Sequence, residues 1–557
     1  MSTITLSKRA AEAILDKHDD FTIFRSDSTY WRDLEVSTPL LSDEALNIAL
    51  TQFKSLDTPT TEEKASTSII EAILRTRAGE DKPVASLRAL PSVVSAWVDT
   101  NAERGWLIYK DRSDSKRDQA YLAVTATLSD KRDSEMYVSV SLVANAPGLP
   151  SRESGGKNGG RVSRHISIHN DDMFTTAKEG EKRKRRTVAQ IMEAEGFFLP
   201  SAEDLAAHDS TAKTFEALLG TGFAKQYRHT GHAQSDSYSY KSYANENAKV
   251  IHDVAPSERT PNRPVAVVWN TDRNDDPIVR KVPIDPSLRA FDLIKQRFIQ
   301  VDARDLSEYQ YDKTLRQKLV LPATHRELLD VLTTDLEDYS DDIVEGKSAG
   351  NVILAQGRPG VGKTLTAEVY SEIVERPLYS IHSGSLGTTA EDVRKNLEVI
   401  FARSNRWDTV LLLDEADVFV IERGQSVEQN AIVAEFLRTM EYFKGLLFMT
   451  TNRSDAIDDA ILSRCAAIIQ YDVPERDDAR KVWDVLVRNA GATDLVDDAL
   501  IESILTEYPG LAPRDIKMVL RLALRIATKR EQKPDLAIFE RCILFRGLTD
   551  AAKAGTK

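Results

Sequence analysis

The stretch GRPGVGKT, residues 357–364, follows the apolar run NVILAQ and precedes the helical pattern LTAEVYSEIV. This is G-x-x-x-x-G-K-T in strand–loop–helix order, and few folds accommodate it. Glycines let backbone N–H groups close around an anion, and the start of the next helix adds partial positive charge. The expectation is therefore a phosphate cradle built from Gly357, Arg358, Pro359, Gly360, Val361, Gly362, Lys363, Thr364 and Leu365. Lys363 would hold the β- and γ-phosphates of a nucleotide, and the Thr364 hydroxyl would ligate Mg²⁺.

Some fifty residues on, VLLLDEAD (410–417) ends a short apolar run in carboxylates. Asp414 at such a strand end can hold Mg²⁺ through water, and Glu415 can orient and activate an attacking water. The letters D-E-A-D also occur in RNA helicases, but here only a short helical tail follows the motif region. MTTNR (449–453) ends the next apolar run, which places Asn452 to bond the water or the γ-phosphate. Arg464, in AILSRCAAIIQYDV, stands just before another strand. An arginine there can reach a neighbour's γ-phosphate and stabilise transition-state charge; a surface salt bridge is the equal alternative.

These motifs sit in one region. NVILAQG, RPLYSIH, TVLLLDEAD, GLLFMTTN and AAIIQYDV are short, nearly continuous apolar runs separated by helical stretches. That pattern predicts buried parallel strands in an α/β domain. After DVPERDD the chain reads as wholly helical, with Ala479, Val482, Trp483 and Leu486 forming one stripe and Ile516, Val519, Leu520 and Ala523 another. We expect three regions: 1–300, an α+β region for partner recognition with a mobile loop at about 147–186; 301–473, the nucleotide-binding core; and 474–557, helical. Within the first, 121–128 and 136–143 read as a hairpin, 187–198 as a helix and 263–269 as a strand, while the polar stretch 228–249 reads as irregular.

The 557-residue chain carries 74 Lys+Arg against 87 Asp+Glu, a formal net charge of −13. An acidic field repels phosphate backbones, which weighs against a dedicated nucleic-acid binder. The run EKRKRR (181–186) and the tyrosines of SYSYKSY are the exceptions; a solvated linker end and an exposed strand or loop are the favoured readings. His229 and His232 have ligand types but no supporting cysteine. Two cysteines, Cys465 and Cys542, make neither a disulfide framework nor a zinc spacing. No run approaches the roughly 20 apolar residues of a membrane span, and the N-terminus has no signal-peptide core. The reading is a cytoplasmic protein.

The order Gly357–Thr364, Asp414–Glu415, Asn452, Arg464 and a helical tail resembles the AAA+ ATPases, over about residues 310–545. The likeness is narrower to a little-characterised AAA+ group whose bacterial and fungal members carry a long N-terminal region. It implies a P-loop NTPase α/β core with a C-terminal helical lid, ATP and Mg²⁺ as cofactors, and ATP hydrolysis in a homo-oligomeric ring, usually a hexamer. Asp414 and Glu415 would be the Walker B pair, Asn452 sensor 1 and Arg464 the arginine finger. Arg514, in YPGLAPRDIKMVLRLAL, would be sensor 2. Arg438 is a second intersubunit candidate. The loop SGSLGTTAED (383–392) lacks the aromatic residue that grips substrate in many such rings. It reads either as a pore loop with Leu386 at its apolar tip or as a turn capping the next helix. The expected function is remodelling or disassembly of a protein client. The alternatives are a nucleic-acid-associated translocase or loader, and an ATP-driven assembly switch or scaffold in a bacterial conflict or stress response.

Overall fold

The computed structural model describes residues 3–14, 17–21, 34–37, 41–110, 118–129, 135–149, 160–176, 182–235, 242–259, 265–267, 278–334, 351–422, 427–453 and 457–548. The apolar runs of the central region form a five-stranded sheet: β1 (Asn351–Gly357), β2 (Leu378–His382), β3 (Val410–Asp414), β4 (Leu446–Thr451) and β5 (Ala467–Tyr471), in spatial order β2-β3-β4-β1-β5. All four pairings are parallel, as expected for strands buried on both faces. Alternate side chains feed two cores. Leu354, Ile381, Leu411, Leu413 and Met449 pack under α2 (Ala390–Trp407) and α3 (Val427–Met440), preceded in the chain by α1 (Lys363–Ile373). Ile353, Ala355, Leu412, Phe448 and Ile469 pack on the other face against α1 and the helix Ala323–Thr334.

Among the described residues the C-terminal region holds four helices: α4 (Arg476–Asn489), α5 (Asp498–Glu507), α6 (Pro513–Lys529) and α7 (Leu536–Phe545). Trp483 and Phe539 meet edge to face at their centre, with ring centroids 5.7 Å apart. The predicted stripes are the buried ones, except that Leu486 is only partly covered.

The N-terminal half holds two further five-stranded sheets. In the first, the predicted hairpin forms as Gln119–Ser129 paired antiparallel with Tyr137–Asn145. The expected mobile loop at 147–186 is corrected here, because Arg161–His169 adds to that hairpin as a third strand. Ile166 and Ile168 pair with Val140 and Val138 on the buried face, so cross-strand burial outweighs the Gly/Ser-rich flank. Residues 150–159 and 177–181 lie outside the described residues. The basic run that follows folds back: Arg183 pairs with Asp171 at 3.1 Å and Arg186 donates to the Asp172 carbonyl at 3.1 Å.

The described residues of the stretch 228–249 are not irregular. Gln226–Ser235 and Ser242–His252 form the central hairpin of the second sheet, with Tyr227, Ala233, Ala248 and Val250 buried among its apolar side chains. Residues 236–241, with most of the tyrosine run, lie outside the described residues. The strand Arg297–Asp302 crosses residue 300, and the sheet ends at Glu308, so a boundary at 300 would cut it.

The second sheet is fastened to the α/β core. Ile251, Phe291 and Leu293 belong to the same buried cluster as α2, and the Phe291 and Trp407 rings lie 4.8 Å apart. Asp253, nearly fully buried, accepts from Arg406 Nε at 2.8 Å and from Trp407 Nε1 at 2.7 Å. On α1, Glu372 accepts from Tyr309 Oη at 2.5 Å, from the Asp312 backbone N–H at 3.0 Å and from Lys249 Nζ at 3.2 Å.

Leu386 is also corrected. It ends a short turn, Ser383–Leu386, and is 0 % exposed, enclosed by Ile381, Leu397, Phe401, Leu413 and Phe436. Thr389 caps α2 by accepting from the Asp392 N–H, so the capping reading of this loop holds; Gly384 and Ser385 are its exposed tip. An enclosed leucine contributes packing, not grip. Leu386→Ala should therefore lower stability by about 2–5 kcal/mol, measured by denaturant unfolding; unchanged stability would return Leu386 to the surface.

His252 supplies a pH test. It is fully buried, and burial lowers its imidazole to about 4 from the ordinary 6.5. The unfolded chain therefore takes up this proton first, so stability present above pH 6.5 is lost as pH falls toward 4. Thermal midpoints of His252→Gln should fall less steeply over that window than those of the unsubstituted chain.

Candidate functional site

The parallel register brings the predicted residues to one edge of the sheet. Gly357 ends β1, Asp414 ends β3 and Thr451 ends β4, with Gln356 level with Thr451 and Leu413 level with Met449. Beyond β1, the backbone at Gly357, Gly360 and Gly362 has φ of +146°, +85° and +114°. At Gly357 a Cβ would stand 2.1 Å from the Tyr471 carbonyl oxygen, so a side chain cannot fit. At Gly362 nothing lies within 4 Å, and this residue is the N-cap of α1.

Lys363, on the first turn of α1, is 7 % exposed. Its ammonium donates to the carbonyls of Gly357 at 2.7 Å and Arg358 at 2.9 Å and to Asn452 Oδ1 at 3.0 Å. Burial lowers its pKa, while Asp417 and Asp414 act to raise it. Thr364 Oγ1 donates to Asp414 Oδ1 at 3.0 Å. A hydroxyl and a carboxylate converging here are hard oxygen donors of the kind Mg²⁺ takes, and the inward-turned amine beside open glycine backbone suits phosphate oxygens. The residues present fit both groups.

Glu415 follows Asp414 with φ of +55°, a left-handed conformation costly for a residue with a Cβ. Thr450 holds it there. The Thr450 hydroxyl accepts from the Glu415 N–H at 3.0 Å and donates to Asp414 Oδ1. Asp417 does the same for Asn452, accepting from the Asn452 N–H at 3.0 Å and from the Thr451 hydroxyl. Thr450 and Asp417 are site residues that the sequence reading passed over. Both lie inside quoted motifs, and short polar side chains at the ends of two adjacent buried strands were the available signal.

The C-terminal bundle also reaches the loop. The Arg514 N–H donates to the Gly360 carbonyl at 3.1 Å, and a Cβ on Gly360 would lie 2.8 Å from Arg514 Cβ. Leu365 is exposed on α1. Arg464 is not at this edge. It precedes β5, where Ala466 donates to the Val352 carbonyl at the start of β1. At about 3.3 Å per residue, the length of β5 separates it from the phosphate loop of its own chain. Its guanidinium pairs with Glu441 and donates to the Ala460 carbonyl at 3.0 Å. Arg438 on α3 is exposed and near Glu435 at 3.9 Å. Among the described residues no group of His, Cys, Asp and Glu forms a candidate metal cluster, His229 and His232 included.

Residues 353–473 match the model of the ATPase family associated with various cellular activities (AAA). The chain carries an AAA ATPase domain. An uncharacterized AAA family ATPase of Sinorhizobium fredii is 31 % identical over 171 residues, covering 29 % of this chain and 50 % of that protein. The ATP-dependent zinc metalloprotease FtsH of Lactiplantibacillus plantarum is 28 % identical over 223 residues, 37 % of this chain and 29 % of that protein. The chain thus spans half or less of these two relatives. Among solved structures, that of the E. coli MS115-1 HORMA:CdnC:Trip13 complex aligns with 18 % identity and a TM-score of 0.35, covering 42 % of this chain and 92 % of that one. Among the described residues no helix is long and apolar enough to cross a membrane.

Within the AAA domain, Thr450→Val should remove both ties to the Asp414–Glu415 turn. The expected outcome is ATP turnover at least tenfold slower with ATP affinity changed far less, since removing one partner of a half-buried network leaves the other unsatisfied. Steady-state kinetics beside equilibrium nucleotide binding checks this.

Proposed function

We propose that this protein is a Mg²⁺-dependent ATP hydrolase that works as a homo-oligomeric ring, a hexamer in the expected form, and remodels or disassembles a protein client. The observation that carries it is the convergence of Lys363, Thr364, Asp414, Glu415 and Asn452 on one sheet edge, with Lys363 Nζ 3.0 Å from Asn452 Oδ1. Lys363 and the loop N–H groups of 357–365 bind and orient the phosphates. Thr364 and Asp414 hold Mg²⁺, which when bound neutralises phosphate charge. Glu415 accepts a proton from the attacking water, and Asn452 fixes that water's position. Arg514 carries the state of the loop into the helical bundle, which serves as the lid.

Arg464 lies too far along the sheet to act on its own chain's nucleotide, which supports action on a neighbour's. The active unit is then a pair of adjacent subunits. The N-terminal sheets are the client-recognition elements. A buried Leu386 removes the apolar pore tip, which favours local remodelling over threading of long chains. A cytoplasmic location belongs to the same reading.

Lys363→Ala should weaken nucleotide binding, and Glu415→Gln should bind ATP but hydrolyse it poorly. Arg464→Ala should slow turnover by roughly a thousandfold and recover in mixtures with Lys363→Ala subunits, which donate the arginine. Full ATPase activity in all three, or no recovery on mixing, would refute the assignment. A protein captured by Glu415→Gln in ATP, and not by Lys363→Ala, would be the client.

A further inference from the structure

α6 has two faces of opposite character. Ile516, Val519, Leu520, Ala523 and Ala527 are buried in the bundle. On the outside, Lys517, Arg521, Arg525 and Lys529 recur every fourth residue, and all four are exposed. Four residues of helix advance about 6 Å, so the charges form a row about 18 Å long. Among the described residues none of the four makes an ion pair or side-chain hydrogen bond. Lys517 lies within electrostatic reach of the exposed Glu368 on α1. The one acid of α6, Asp515, is taken by Arg546 at 2.9 Å.

On α4 and α2 most of the exposed cations are paired. Arg480 binds Asp484, Asp498 and Glu502, and Lys481 binds Asp478. On α2, Arg394 binds Glu398 and Lys395 binds Glu391. Against that pattern, and a net charge of −13, a cationic row with only Glu368 acting on one of its members is open to an external anion.

We propose that this face of α6 docks a nucleic-acid duplex through its phosphates, without reading its sequence. The row is evenly stepped and winds about 40° round the helix at each step, so its charges meet phosphates that are themselves regularly spaced along a helical polyanion. Arginine supplies two of its members and can fork onto phosphate oxygens. α6 contains no aromatic residue to serve as a stacking platform for unpaired bases, and phosphate contacts carry no sequence information. A second copy of this chain is the poorer partner, because Glu391 and Glu398 on α2, Asp478 and Asp484 on α4 and Asp498 and Glu502 on α5 already hold cations of their own. The proposal stands apart from ATP hydrolysis and from the 181–186 run, whose Arg183 and Arg186 are engaged elsewhere.

The test is fluorescence anisotropy of the full chain with a 20-base-pair DNA duplex, from 50 to 200 mM salt. Four phosphate contacts predict a log–log slope near −3.6 and about a hundredfold loss of affinity across that range. Each single change, such as Arg521→Gln or Arg525→Gln, should shallow the slope by about one, and the fourfold Gln variant should lose salt-sensitive binding while keeping its thermal midpoint. No binding at 50 mM salt would overturn the proposal. So would single variants that bind like the unsubstituted chain. Loss of self-association in the fourfold variant, with no duplex binding before substitution, would overturn it in favour of a second copy.

Discussion

The parallel hydrogen-bond ladder of the central sheet is the constraint on which the rest depends. Parallel strands all end on the same edge, so three motifs distant in the chain finish side by side. The ladder leaves the polar groups at that edge without further strand partners. Thr364, Asp414, Thr450, Asp417 and Asn452 satisfy one another there. The strained turn at Glu415 is held by the same bonds. The cost of a left-handed glutamate is thus met by neighbours whose own positions the ladder sets.

The same geometry separates the arginines. Arg514 approaches the loop through its backbone, while Arg464 belongs to the opposite end of β5 and is paired with Glu441. The chain therefore carries the glycine-rich 357–365 loop at one edge and a half-buried, paired guanidinium at the other. This polarity suits head-to-tail closure into a ring, in which each interface joins unlike edges.

Legibility from sequence followed burial. Runs such as VLLLD and GLLFMTT are buried on both faces, so their apolar character announced buried strands, while their order in the sheet came only from the structure. The loop glycines were legible because their conformations exclude side chains. Half-exposed strands were not: Gln226–Ser235 and Ser242–His252 alternate inward residues with polar ones that read as loop. Arg161–His169 was hidden by its Gly/Ser-rich neighbours although Ile166 and Ile168 marked its inner face. Leu386 misled in the other direction. Its glycine neighbours suggest exposure, but only the packing of α2 over β2 and β3 decides where its side chain goes.

The anchors at Asp253 and Glu372 bear on how force could travel. Both are buried carboxylates that bridge the second sheet to the far ends of α2 and α1, and α1 begins at the phosphate loop. A sheet riveted at two points cannot pivot as on a hinge; it turns with whatever turns the core. Small rotations at the nucleotide edge would then appear at the N-terminal end multiplied by distance, as at the rim of a wheel. The second sheet is better pictured as a spoke fixed to the core than as a tethered arm.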